Sequence, residues 1–317
     1  MAMNWVEQSG YLTNQKLNMD YQKVAQPLFR YRQFVDIKES FGKQQGQTVN
    51  WLKVANVANY GKKIAETNTM PETSQSLTWG TVTVAEFGNS VPWTFKMEAL
   101  SEFDVKDIIK GGLLDDSVKV IDGTVEREFN KTPLRYVGIT TTSGSVTTNS
   151  AATVTNTSVL NPYHLRKMRL ELEKRNVPTF DGDYVMILGL EAAESLEGAM
   201  ESVYQYTEVG MKRLFAGEIG KLNGVRFVKD SFASRYVFDP DAGTATAITW
   251  SGGLSGVGYM FGKPTVREAI AVPEEIRLKV TTDYGRSKGM AWYFLGNWGL
   301  EWPTEANARI IKWDSAA

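Results

Sequence analysis

The sequence contains one histidine and no cysteine. Disulfide frameworks, thiolate metal sites, iron–sulfur clusters and cysteine nucleophiles are therefore excluded, and a Ser–His–Asp triad would rest on His164 alone. His164 follows Asn161 and Pro162 at the start of an expected helix. The positive end of the helix dipole disfavours an imidazolium there, and no nucleophile-elbow sequence is present. Multi-histidine metal sites are excluded by the count. Asp239, Asp241 and Gly243 begin like a calcium loop, but the closing position, 250, is Trp, so the reading is a plain turn. The carboxylate pairs Asp115–Asp116 and Glu274–Glu275 serve acid–base chemistry only if a fold converges them on a cleft. Neighbouring residues on a helix point apart, so a solvated acidic face is expected. The glycine-rich stretch Gly252 to Lys263 fails as a phosphate loop, because Val257 stands six before Lys263 and Pro264 follows it. Gly256, Gly258 and Gly262 miss the dinucleotide spacing by one place. Nine tryptophans suggest sugar stacking, but Trp292, Trp298, Trp302 and Trp313 lie on expected strands, where a sheet core accounts for them. No catalytic, cofactor-binding or metal-ligating residue is assigned, and the chain reads as a protein that is not an enzyme.

The elements that carry these residues belong to a chain of 317 residues, about two domains or one large one. With 35 Lys and Arg against 36 Asp and Glu, the net charge of −1 calls for neither nucleic acid nor a membrane surface. The first ten residues lack a basic and an apolar region, so no signal peptide is expected. The longest strongly apolar run, Met290 to Leu295, is far below the roughly 20 residues of a membrane helix.

Residues 1–45 read as an arm, with Pro27 opposing one long helix. Thr48–Val57 and Leu77–Phe87 alternate and predict a long projecting hairpin. Val49 and Trp51 share one face, and the strands look too polar to bury both. Its tip, 58–76, is polar and is expected to be mobile in a free subunit. Residues 101–130 predict a helix about 40 Å long, capped by Ser101 or Asp104 and striped by Leu114, Val118, Ile121, Val125 and Phe129. Gly111 and Gly112 mark a place where it could bend. Residues 140–158, twelve of them Ser or Thr, read as a surface excursion. A helix from Pro162 buries Leu165, Met168 and Leu172. A buried strand follows at 183–189, then short helices at 189–198 and 204–215 and strands at 224–228, 266–270, 292–300 and 309–313. Strands and helices mix without a βαβ rhythm, so the fold class is α+β. Charge is segregated. Residues 1–63 hold nine bases and four acids, and residues 98–130 hold four bases and nine acids. An arm and a hairpin bury little within their own subunit and point to self-assembly.

Several blocks carry a resemblance. Phe215 to Val228 reads F-A-G-E-I-G-K-L-N-G-V-R-F-V; Phe180 to Leu188 reads F-D-G-D-Y-V-M-I-L; Met260 to Lys263 reads M-F-G-K; and Gly289 to Phe294 is followed by Ala308 to Ile311. In order and spacing, from about residue 30 onward, these resemble the major capsid proteins of the N-four-type coliphage family of tailed bacteriophages. The resemblance implies the Hong Kong ninety-seven-type capsid fold. Its parts would be an N-terminal arm (1–45), an E-loop hairpin and its base (46–97), the spine helix of a peripheral domain (98–135), a mostly axial domain (136–262) and return strands (263–317). It implies hexamers and pentamers of this chain closing an icosahedral shell around double-stranded DNA without sequence-specific contact. Portal and decoration proteins would be further partners, and location would be the virion, with host cytoplasm during assembly. Only about 45 residues precede the hairpin, too few for a fused scaffolding domain, so a separate scaffolding protein or none is expected. Arg30, Arg32, Lys62 and Lys63 are expected to meet Asp107, Asp115, Asp116 and Asp122 of a neighbour's spine, or else the spine acids face the lumen. Competing readings are an encapsulin-type shell, told apart by the absence of DNA, and a carboxylate-dependent glycoside hydrolase or carbohydrate-binding protein.

Overall fold

The structure is a computed structural model that describes residues 30–40, 46–54, 57, 61–66, 68–101, 104–148, 158–204, 220–230, 236–247, 257–281 and 283–314. In chain order its strands are β1 (Asp36–Ser40), β2 (Thr48–Val54), β3 (Leu77–Thr83), β4 (Ala85–Thr94), β5 (Leu134–Thr140), β6 (Ser143–Thr148), β7 (Tyr184–Gly189), β8 (Lys221–Leu222), β9 (Val225–Asp230), β10 (Tyr236–Asp239), β11 (Thr244–Ala247), β12 (Val257–Phe261), β13 (Val266–Leu278), β14 (Ser287–Leu300) and β15 (Ile310–Asp314). The helices are α1 (Phe95–Leu100), α2 (Val105–Asn130), α3 (Pro162–Lys174) and α4 (Leu190–Tyr204). The expected arm at 1–29, the tip residues 58–60 and 67, and the helix at 204–215 beyond Tyr204 lie outside the described residues.

Helix α2 runs unbroken through Gly111 and Gly112 for 26 residues. Asp104 caps it by accepting the Lys106 N–H at 2.9 Å. Its buried stripe differs from the expected one in the first half. Val105, Ile109 and Leu113 face the core, while Leu114 is only half-buried. The reason is a change of partner along the helix. The first half lies on β4 and β14, whereas the second half also meets β10 and the larger sheet. Every residue from Ile121 to Glu126 is consequently buried. Gly123 permits this close approach, since a Cβ there would stand 2.9 Å from Phe238.

Two main sheets result. Four strands in the order β1-β13-β14-β4 make one, and seven in the order β6-β5-β15-β12-β7-β9-β8 make the other. The seven-stranded sheet has apolar layers on both faces, which is why β7 reads as an unbroken apolar run. Val185 and Ile187 face the core shared with α2 and the four-stranded sheet. Tyr184, Met186 and Leu188 face a second core, closed by Leu165, Met168 and Leu172 of α3 and by Leu196 of α4. The Asn161 carboxamide oxygen caps α3 by accepting the Tyr163 and His164 N–H groups, each at 3.0 Å. The Ser/Thr-rich excursion begins as the edge hairpin β5–β6, and residues 149–157 lie outside the described residues. β10 and β11 form a separate hairpin joined through Asp239 to Gly243, an ordinary turn as expected.

Candidate assembly surface

Strands β2 and β3 pair antiparallel as a sheet of two, with Leu52 opposite Trp79 and Val54 opposite Leu77. Strict alternation gives the ribbon two faces. On the inner face Val49, Trp51 and Val82 are buried with Ala269 of β13. Gly80 lies under the Trp51 ring, where a Cβ would be 2.3 Å from Cε2. Cations brace this base. The Arg267 guanidinium lies 5.1 Å from the Trp51 ring and pairs with the Glu301 carboxylate. Lys53 Nζ stands 5.4 Å from Trp51 and 5.7 Å from Trp302, and Arg309 lies 5.2 Å from Trp302. The projection is thus fixed at its root.

The outer face is different from the expected polar one. Leu52, Val54, Leu77 and Trp79 are 47%, 50%, 58% and 68% exposed and adjoin as two cross-strand pairs. Their signal was present in the sequence, since Leu52 and Val54 follow Asn50 on the same alternating set of β2. Beyond them Ile64 and Met70 are exposed too. At the far end of the four-stranded sheet, Leu278, Val280 and Tyr284 project from the β13–β14 hairpin with Phe95 and Leu100 of α1 exposed nearby in sequence register, Ser287 pairing with Thr94.

The eight charged residues expected at an interface separate into two groups. Lys62, Lys63 and Asp107 are exposed. Arg30 is bonded through its backbone N–H, and the side chains of the other four have partners inside the chain. The Arg32 guanidinium donates to Glu268 at 2.8 Å and pairs with Glu274. Asp115 pairs with Lys119 one turn along. Asp116 accepts from the Trp292 indole at 2.9 Å and from Asn89 at 3.0 Å. Asp122 is buried and accepts the backbone N–H groups of Arg30, Tyr31 and Arg32 at 3.0–3.2 Å. The expected pairing of Asp122 with a neighbour's cation is therefore corrected. Segment and helix do meet, but within one chain and through backbone donors. Burial raises the carboxyls of Asp122 and Glu126 to about 7 each.

The residues considered for chemistry do not converge. Glu274 goes to Arg32 while Glu275 pairs with Arg277. Buried His164 has Tyr136 Oη 3.1 Å from Nδ1 and Ser158 Oγ 3.2 Å from Nε2, with Trp313 against its ring, which is a core arrangement. Trp292, Trp298 and Trp313 are core residues. Among the described residues no helix is long and apolar enough to cross a membrane.

No protein-family model and no curated protein matches the chain. Solved structures do. The capsid of cyanophage Pam1 matches with a TM-score of 0.64 at 13% identity, covering 96% of each chain. The head of Helicobacter pylori bacteriophage KHP40 matches at 0.63 and 13%, covering 87% of this chain and 86% of that one. The capsid of Ralstonia phage GP4 matches at 0.62 and 13%, covering 90% and 87%. The fold is that of phage capsid subunits. As the resemblance implied, it is the α+β Hong Kong ninety-seven-type capsid fold.

Proposed function

We propose that this chain is the major capsid protein of a phage, a structural subunit that self-assembles into a shell. The observation that carries the reading is the outer face of the hairpin. Four adjoining apolar side chains, each 47% exposed or more, stand on a ribbon braced at its root. A two-stranded ribbon is marginal alone, and an apolar patch held out from the body is stable when another copy covers it. The sequence blocks support the finer reading of an N-four-type, tailed, double-stranded DNA phage. In that reading copies form hexamers and pentamers of an icosahedral shell, with portal, decoration and separate scaffolding proteins as partners. The shell forms in the host cytoplasm and encloses the genome in the virion. The chain then divides into arm (1–45), E-loop (46–97), spine (98–135), mostly axial domain (136–262) and return strands (263–317). Lys62, Lys63 and Asp107 are the charges best placed to meet a neighbour. Negative-stain microscopy of the purified full chain, with nucleic-acid content measured on any particles, tests both levels. Rings or shells are expected; a monomer at every concentration, with or without co-expressed phage proteins, would overturn the reading. Particles free of DNA from infected cells would overturn the genome-enclosing part.

A further inference from the structure

The root of the hairpin collects hydrogen-bond donors and is short of acceptors. Strand β2 supplies Trp51 and Lys53, successive members of its buried set. Strand β13 supplies Arg267, and the segment between β14 and β15 supplies Glu301, Trp302 and Arg309. Cation and ring alternate in the order Arg267, Trp51, Lys53, Trp302, Arg309, with 5.1 to 5.7 Å at each step. Three cations thus share one carboxylate, and Glu301 is committed to Arg267.

Lys53 is only 7% exposed, and among the described residues no carboxylate pairs with it and no group accepts a hydrogen bond from it. A lysine is almost never buried to that extent unpaired. Burial is the largest influence on it and lowers its pKa; Glu301 opposes that and Arg267 adds to it. The two indoles attract the ammonium through their faces, but each brings a further N–H donor and no acceptor. Both of those groups, Trp51 Nε1 and Trp302 Nε1, are buried without a hydrogen-bond partner. Such orphaned donors are uncommon in native folds. Two of the three donors converge at Gly80. A Cβ there would stand 2.5 Å from Lys53 Cε and 2.5 Å from Trp51 Nε1, so those atoms lie within twice that distance of each other. A small oxyanion accepts from several such donors at once, at about 2.7–3.0 Å from each, and its charge offsets the excess of cations. Donors this enclosed admit a single ion rather than a polymer strand.

We propose that the hairpin root is a binding site for one small oxyanion of the phosphate or sulfate class, held by the Lys53 ammonium and by the Trp51 and Trp302 indole N–H groups. Arg267 and Arg309 are positioning residues that add attraction from either end of the row. The ion joins β2 to the segment that follows β14, so its binding tightens the attachment of the hairpin to the body. This is a property of one subunit and does not rest on the assembly reading.

Inorganic phosphate is the probe, at pH 7 and at constant ionic strength, since exposed cations are screened by salt and a built site is screened much less. Equilibrium dialysis of the full chain against radiolabelled phosphate, with the assembly state followed by light scattering, should show one saturable site per chain. Lys53→Met keeps the aliphatic stem and removes the charged donor, and should weaken binding by at least about tenfold. Trp302→Phe keeps a ring and removes one neutral donor, and should weaken it by about two- to tenfold. Lys62→Met, at an exposed lysine, should leave it unchanged. Stability gives a second readout. Phosphate at about a hundred times its Kd should lower the wild-type unfolding constant about a hundredfold in urea, and should not move that of Lys53→Met. A wild-type chain without a saturable site overturns the proposal, whether or not the variants fold. So does a folded Lys53→Met chain that binds as wild type does. Phosphate bound by single subunits but expelled from assembled particles would give the site to a neighbour's carboxylate and overturn the free-ion reading.

Discussion

Replacing Trp79 by Ser separates assembly from folding. Trp79 is 68% exposed on the outer face of the hairpin. On a side chain of about 250 Å2 that leaves about 170 Å2 for a neighbour to cover, or about 4 kcal/mol at about 25 cal/mol per Å2. Imperfect packing reduces this to about 3 kcal/mol, more than a hundredfold in each association constant. The cost to the subunit is small, because the partner of Trp79 within the chain is Leu52, directly opposite on β2, and such a cross-strand pair contributes about 0.2–1 kcal/mol. Sedimentation velocity over a concentration series should therefore show the assembly threshold raised at least about a hundredfold. Urea unfolding of the unassembled subunit should shift by less than about 1 kcal/mol. A Trp79→Ser chain that assembles at the wild-type threshold would refute the assignment of this face. One that loses more than about 2 kcal/mol of fold stability would show that Trp79 is a core residue.

Gly80→Val drives a side chain into the Trp51 ring and should cost about 1–3 kcal/mol in urea unfolding, whereas Gly61→Val, with no heavy atom near its Cβ, should be silent. Equal effects would contradict the close packing at the hairpin root. Asn161→Ala removes the acceptor for two α3 N–H groups and should lower stability by about 1 kcal/mol; an unchanged thermal midpoint would deny the cap. Burial lowers the pKa of His164, so the unfolded chain binds its proton more readily. The stability tied to it is present above the unfolded value near 6.5 and is lost as pH falls below it. His164→Gln should shrink the drop in urea midpoint between pH 7 and pH 5, and an unchanged drop would mean other groups carry it.

Local signals made much of the fold legible. Asn161 and Pro162 start α3 where expected, and the apolar run at 184–188 is a strand buried on both faces. The α2 stripe was readable only in its second half, because a sequence does not state that the first half packs on a different sheet. The hairpin was legible, but not the meaning of its outer face. Asn50 reads as the start of a polar side, while Leu52 and Val54 share that side and are left uncovered. The segregated charges were read as pairs between neighbouring subunits, and within the chain the contact between the two segments is of another kind. Counting side-chain charges could not show that Asp122 is satisfied by backbone N–H groups 90 to 92 positions away, or that Arg32 reaches Glu268 and Glu274 instead.

The place of β15 bears on how the chain is made. It lies in the interior of the seven-stranded sheet, parallel to β5 on one side and antiparallel to β12 on the other. Strands in a sheet stand about 4.8 Å apart, so until residues 310–314 leave the ribosome β5 and β12 face each other across a slot one strand wide. Trp313, fully buried against Tyr136 and His164, arrives with them. A polypeptide released short of this point has two unpaired interior edges and an unfilled core. It is a substrate for chaperones and proteases rather than a building block.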